Sequence, residues 1–185
     1  MAHIEKFYIV KEKQMGKVFA IADLHLGHKN MALHRGFNSV EEHDSHIIEC
    51  WNNVVGKKDT VIICGDLTME KATEYYKLGM LKGIKKVVGG NHDKPQHASK
   101  MLEYVSGICG ALNYKGYLFT HVPIHTSELR RFRGNIHGHV HEKTICHSLF
   151  GIKLFKDKRY INVSCENINY TPIEINKINQ NKFAQ

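Results

Sequence analysis

The sequence predicts an α/β protein, and three observations lead there. Short runs rich in valine and isoleucine alternate with segments of helical periodicity. The apolar runs are followed by Asp, His and Asn, residue types that bind ligands at strand ends. The chain has 185 residues, 42% of them hydrophobic and 24% charged, which suits one domain around one sizeable core.

Taken in order, FYIV (7–10) and KVFAIADL (17–24) flank KEKQMG and predict an opening β-hairpin. Ser39 and Glu42 stand at capping-box spacing. Behind them Ile47, Ile48, Trp51, Val54 and Val55 form an apolar stripe, so a helix should run to about Val55. TVIICGD (60–66) reads as a buried strand, and MEKATEYYKLGMLKG (69–83) as a second helix ending at a glycine. KKVVGGN (85–91) supplies a third strand, and a short helix is expected from about His97 to Tyr104. ALNY and GYLFTH, joined at Lys115-Gly116, predict a β-hairpin. NIHGHV and RYINVS supply later strands. No repeat and no Pro-, Gly- or Ser-rich linker divides the chain. A single domain over residues 1–175 is expected, followed by a polar tail, NKINQNKFAQ (176–185).

Bulk features exclude several classes. No apolar run approaches the roughly 18 residues that suggest a membrane span. The start, MAHIEKFYIV, lacks the apolar stretch and cleavage site of a signal peptide. A soluble, cytoplasmic protein without a membrane partner is expected. The five cysteines are odd in number and form no C-x-x-C pair, so free thiols are expected rather than a disulfide framework or zinc ribbon. A net charge of +8 favours anionic partners, nucleic acid or nucleotides among them.

The polar residues are more specific. Val18–Ala22 is followed by Asp23 and His25, and Val61–Cys64 by Gly65 and Asp66. Val87 and Val88 precede Gly89, Gly90, Asn91, His92 and Asp93. Tyr117–Thr120 precedes His121, and Ile136 precedes His137, Gly138, His139 and His141. Each cluster alone has a dull explanation as turn, cap or strand-end chemistry. Five of them in one order do not. The alternating histidines of NIHGHVH would point all three rings to one side of a strand, and neutral imidazoles so placed are good metal ligands.

Together these motifs resemble the calcineurin-like metallophosphoesterase superfamily, in particular its small bacterial and bacteriophage branch. The resemblance spans Asp23 to His141 and implies a β-sandwich flanked by helices, in α-β-β-α layers. A bimetal site would lie at the C-terminal edge of the strands. By that match Asp23, His25, Asp66 and His141 hold one ion, Asp66, Asn91, His121 and His139 hold the other, and Asp66 bridges them. Mixed oxygen and imidazole donors suit two divalent transition-metal ions, with Mn favoured and Fe, Zn, Ni or Co admissible. The implied reaction is phosphate-ester hydrolysis by a metal-bridged hydroxide attacking phosphorus in line with the leaving oxygen.

The resemblance makes His92 the general acid. Asp93 either orients His92 and tunes it or is a plain turn residue. Gly138 would let the backbone approach the ions, and His137 is left as a buried hydrogen-bonding residue. His28, Lys29 and His125 are candidates to face the substrate. Arg130, Arg131 and Arg133 either grip a phosphate or nucleic-acid backbone or form a solvated basic loop. Serine/threonine phosphatases of the superfamily carry GDxVDRG, whereas this chain has Gly65-Asp66-Leu67-Thr68-Met69-Glu70-Lys71. The second aspartate and the Arg-Gly pair are missing, which turns the reading towards phosphodiesters of nucleotides or nucleic acid. A phosphomonoesterase is the alternative, and a non-catalytic scaffold a more distant one. Oligomeric state is not legible.

Overall fold

Parallel strands that share a register end at the same level, and this places everything that follows. The structure, a computed structural model, describes residues 16–69, 71–149 and 152–178. In chain order, β1 (Val18–Ile21) leads to α1 (Lys29–His34) and α2 (Val40–Val54), then to β2 (Thr60–Ile63) and β3 (Ile84–Val88). After α3 (Ala98–Met101) come β4 (Gly107–Cys109), β5 (Leu112–Tyr114), β6 (Tyr117–Phe119) and β7 (Gly134–His137). A separate hairpin, β8 (Cys146–Leu149) and β9 (Ile152–Lys156), precedes β10 (Tyr160–Asn162) and β11 (Ile173–Glu174).

The larger sheet has the order β11-β1-β2-β3-β4, with β1 to β4 parallel and β11 antiparallel to β1. Ile21 pairs with Ile63, Ile63 with Val87, and Val87 with Ile108, so these strands finish side by side. The second sheet has the order β10-β7-β6-β5, with β10, β7 and β6 parallel. Phe119 pairs with Ile136, and His137 with Asn162, so it too has a common C-terminal edge. One core joins the sheets: Ile21 and Ile63 from one, Phe119 and Ile136 from the other, with Trp51 and Tyr75 from the helical layer. At the site edge they are stitched directly. Ala22 N donates to Val163 O at 2.8 Å, and Cys165 N to Ala22 O at 3.2 Å.

Local chemistry explains most elements. Ser39 caps α2, its hydroxyl accepting from Glu42 N at 3.1 Å. The reciprocal bond of a capping box is shifted by one residue, because Glu42 Oε2 accepts from Asn38 N at 2.9 Å. Trp51 is fully buried on α2, and its indole N–H donates to Lys82 O at 2.9 Å. The predicted hairpin forms β5 and β6, and its turn residues Lys115 and Gly116 have φ of 51° and 80°, as a type I′ turn requires.

Two expectations are corrected. The helix read over 69–83 is a succession of 3-10 turns from Ala72 to Met80. Its buried residues, Tyr75, Leu78 and Leu81, recur every third position, which is the 3-10 period rather than 3.6. The strand read over NIHGHV stops at His137, and the hairpin of β8 and β9 and the short α1 were not anticipated. The strand at 7–10 and all of the tail beyond residue 178 lie outside the described residues. All five cysteines are free, and among the described residues no helix is long and apolar enough to cross a membrane. If the Ser39 hydroxyl anchors α2, Ser39→Ala should lower stability by about 1 kcal/mol in urea unfolding with an unchanged m-value.

Candidate metal centre

Five of the seven candidate ligands leave their strands through turns of unusual backbone. Asp23, His25, Asp66, His139 and His141 have φ of 57°, 49°, 55°, 72° and 50°, the left-handed region that residues other than glycine seldom adopt. That is why the alternating histidines do not share one strand face. His139 and His141 are turned by two left-handed positions beyond the end of β7, while His137 stays in the strand, fully buried. His137 Nδ1–H donates to Gly138 O at 2.9 Å, and burial pushes its pKa down to about 4. Glycine permits the close approach on both sides of the site. A Cβ on Gly138 would lie 2.5 Å from Asp23 Oδ2, and one on Gly65 would lie 2.6 Å from His121 Nδ1.

The side chains converge. Asp23, His25 and His141 form one group whose donor atoms lie within 4.8 Å of one another, and Asp23, Asp66 and His121 form a second. Asp66 Oδ2 stands between them, 3.4 Å from His121 Nε2 and 3.8 Å from His25 Nε2. Asn91 Oδ1 reaches His121 Nε2 at 2.8 Å and His139 Nδ1 at 3.0 Å. The His25 and His141 rings stack with centroids 5.4 Å apart.

These residues fit cations better than they fit each other. His121 Nδ1–H donates to Cys64 O at 2.8 Å, so in the neutral imidazole Nε2 carries the lone pair. That lone pair faces Asn91 Oδ1 and Asp66 Oδ2, so acceptors meet acceptors. Both ring nitrogens of His25 are buried without a hydrogen-bond partner, and burial drives its pKa down to about 2, keeping the imidazole neutral. Burial also raises Asp23 to about 6, against the hydrogen bond of the Ser164 hydroxyl. A divalent cation would satisfy the orphaned lone pairs and hold both carboxylates ionised.

The comparisons with known proteins agree. A calcineurin-like phosphoesterase family model matches residues 16–183. The chain belongs to the calcineurin-like phosphoesterase family. An uncharacterized protein of Methanocaldococcus jannaschii is 33% identical over 171 residues, covering 89% of this chain and 90% of that one. The Gene 66 protein of Mycobacterium phage L5 is 32% identical over 166 residues, covering 71% of this chain and 80% of its own length. A solved protein of unknown function from Aquifex aeolicus shares the fold, with TM-score 0.66 and 23% identity over 89% of this chain and 98% of that one.

Around the candidate ligands of this phosphoesterase lies a supporting layer, of which the sequence reading named only Asp93. The Asp93 carboxylate accepts from Asp66 N at 2.8 Å, Leu67 N at 3.0 Å and Gly90 N at 2.9 Å, tying the second ligand loop to the third. Burial raises the Asp93 pKa against those backbone donors. Arg35 and Glu166 sit behind Asp23 and His141, and Asn162 Nδ2 donates to His141 O at 2.6 Å. For Glu166, burial opposes ionisation, but the hydrogen bond from His141 and the Arg35 charge bring its pKa down to about 2. Glu166 follows an apolar run like the ligands do, so the strand-end rule applied to RYINVS would have found it. Arg35 carries no comparable signal.

The residues read as substrate contacts divide. The His28 ring lies 6.0 Å from His25, and the His92 ring 5.9 Å from His25, so both border the site. His92 is tied to it, its N–H donating to Asp66 Oδ1 at 3.0 Å. Lys29 is exposed at the start of α1, and His125 caps an exposed 3-10 turn by accepting from Ser127 N at 3.3 Å. Arg130 and Arg131 are exposed in that same turn. Arg133 precedes β7, at the end remote from the candidate ligands, with its guanidinium 5.4 Å over the Tyr117 ring.

Close approach at Gly138 gives a direct test. Gly138→Ala should weaken Mn²⁺ binding at least about tenfold in calorimetric titration, since Asp23 must move away from His139. Gly110→Ala, where an added Cβ meets nothing within 4 Å, should bind as the parent does.

Proposed function

We propose that this phosphoesterase is a dinuclear, metal-dependent phosphodiesterase acting on nucleotide or nucleic-acid substrates. The observation that carries the reading is a pair of donor groups sharing Asp23, with Asp66 Oδ2 between their histidines. Asp23, His25 and His141 would hold one ion, and Asn91, His121 and His139 the other, with Asp66 reaching both. Carboxylate, amide and imidazole donors together fit Mn, Fe, Co, Ni or Zn, and the oxygen share favours Mn. Bound there, two divalent ions supply Lewis acidity toward the phosphoryl oxygens and make water acidic enough to attack at neutral pH.

The chain's own residues do the rest. His92 borders the site with its backbone fixed to Asp66, which supports its reading as the general acid that hands a proton to the leaving oxygen. His28, whose ring lies 6.0 Å from that of His25, is a candidate to contact the substrate. Two features favour a diester. The charge of +8 draws polyanions to the surface. The guanidinium nearest the ligands, Arg35, has a side chain only 1% exposed and is spent on Asp23 O, Leu24 O and Glu166, so it offers no clamp for the extra charge of a monoester.

The decisive assay compares bis(p-nitrophenyl) phosphate with p-nitrophenyl phosphate, using metal-stripped protein with and without Mn²⁺, Ni²⁺ or Zn²⁺. Turnover should need metal and favour the diester. Asp66→Asn should abolish it. His92→Ala should lower kcat about 10²- to 10⁴-fold without lowering metal content. A monoester preference would support a phosphatase, and metal-independent turnover would sink the mechanism.

A further inference from the structure

Beneath the ligands runs a chain of side chains that no step of the proposed hydrolysis uses. Lys77 Nζ lies 2.6 Å from Asp44 Oδ2, and Asp44 Oδ1 lies 2.8 Å from His43 Nδ1. His43 Nε2 is 2.9 Å from Arg35 Nη1. Arg35 reaches Glu166 Oε1 through Nε at 2.8 Å and Nη2 at 2.7 Å, and the same oxygen lies 3.0 Å from His141 Nδ1. His43 and Arg35 are buried, and the chain ends on a candidate ligand.

The donors and acceptors have one consistent assignment. A guanidinium only donates, so His43 Nε2 must accept from Arg35 and its Nδ1–H must go to Asp44. A carboxylate only accepts, so His141 Nδ1–H must go to Glu166. That leaves Nε2 of His141 as the free donor atom towards a metal. An imidazole held by a carboxylate on its far nitrogen has its tautomer and ring orientation fixed and its basicity raised. Arg35 holds the other half of the same ligand group. Its Nη2 donates to Asp23 O at 2.7 Å and its Nη1 to Leu24 O at 3.2 Å, within the segment whose ends, Asp23 and His25, have left-handed backbone.

We infer that Arg35 and Glu166 are positioning residues dedicated to one of the two metal sites, the one formed by Asp23, His25 and His141. The inference rests on the dinuclear reading above. Arg35 joins the carbonyls of the Asp23 loop to the carboxylate that orients His141, so two ligand loops far apart in sequence are set by one side chain. Lysine cannot replace it, because a single ammonium lacks the planar fork that serves four acceptors in different directions. The ligands of the other group are held differently, through Asp93 and Cys64 O.

The test is Mn²⁺ binding to the full chain, followed by calorimetry, bound-metal analysis and electron paramagnetic resonance. The parent should bind two ions with a spin-coupled spectrum. Glu166→Gln and Arg35→Lys should each keep one ion at parental affinity and weaken the other about 10- to 100-fold, replacing the coupled spectrum with that of isolated Mn²⁺. His139→Ala, in the opposite group, should weaken the other ion. Far-UV circular dichroism of the metal-free proteins checks folding; should Arg35→Lys not fold, Glu166→Gln, which keeps the shape, decides. Parental affinity at both sites in Glu166→Gln, or equal weakening of both, overturns the inference. A parent that binds fewer than two ions overturns the dinuclear reading itself, and is seen before any variant is made.

Discussion

The site depends on backbone held where side chains resist it. Five candidate ligands occupy the left-handed region, and each such residue costs on the order of 1–3 kcal/mol. What holds them is a set of clamps between loops. Asp93 receives backbone N–H groups from the second and third ligand loops, Asp66 receives His92 N, and Asp23 receives His139 N at 3.0 Å. Carboxylates thus serve twice, as prospective ligands and as fasteners of the neighbouring loop. The register of the parallel strands makes this possible, because strands that finish level deliver their loops to one another.

The fold and the ligand set were legible to different depths for physical reasons. A strand followed by ligand-type residues is a local pattern, and Asp23, Asp66, Asn91 and His121 could be read from it. The spacing of NIHGHVH was legible but ambiguous, since it fits a strand with three rings on one side as well as the turn observed, where His137 stays in β7 and His139 and His141 leave it. Aspartate and histidine carry no glycine-like mark of positive φ, so the turns themselves left no trace. Tyr75, Leu78 and Leu81 recorded a 3-10 period that was taken for an α-helix. Arg35 was illegible because its partner Glu166 is 131 residues away, and pairing at that distance leaves nothing in either neighbourhood.

The same arrangement explains how a basic chain keeps an anionic centre. Asp23 and Asp66 are buried together, Asp93 and Glu166 stand behind them, and the Arg35 guanidinium holds Glu166 and the Asp23 carbonyl. One guanidinium cannot neutralise them, and the lone pairs of His25 and His121 add no positive charge while neutral. Repulsion among acceptors is what divalent ions relieve, so binding energy is available here that a surface site would not offer.

That energy has a route into the rest of the fold. Asp44 and His43 lie on α2, Lys77 on the 3-10 segment, and both elements pack against the core through Trp51, Tyr75 and Leu78. Asp44 Oδ2 also accepts from Gly27 N at 2.9 Å, so the loop after β1 is gripped from the helical layer as well as from Arg35. His141, Glu166, Arg35 and His43 thus form one run of hydrogen bonds that ends on α2. Binding that favours one arrangement of such a connected set stabilises the whole set by mass action. The helical layer thus supports the candidate site: hydrogen bonds from α2 reach the loop after β1 directly and His141 through Arg35 and Glu166.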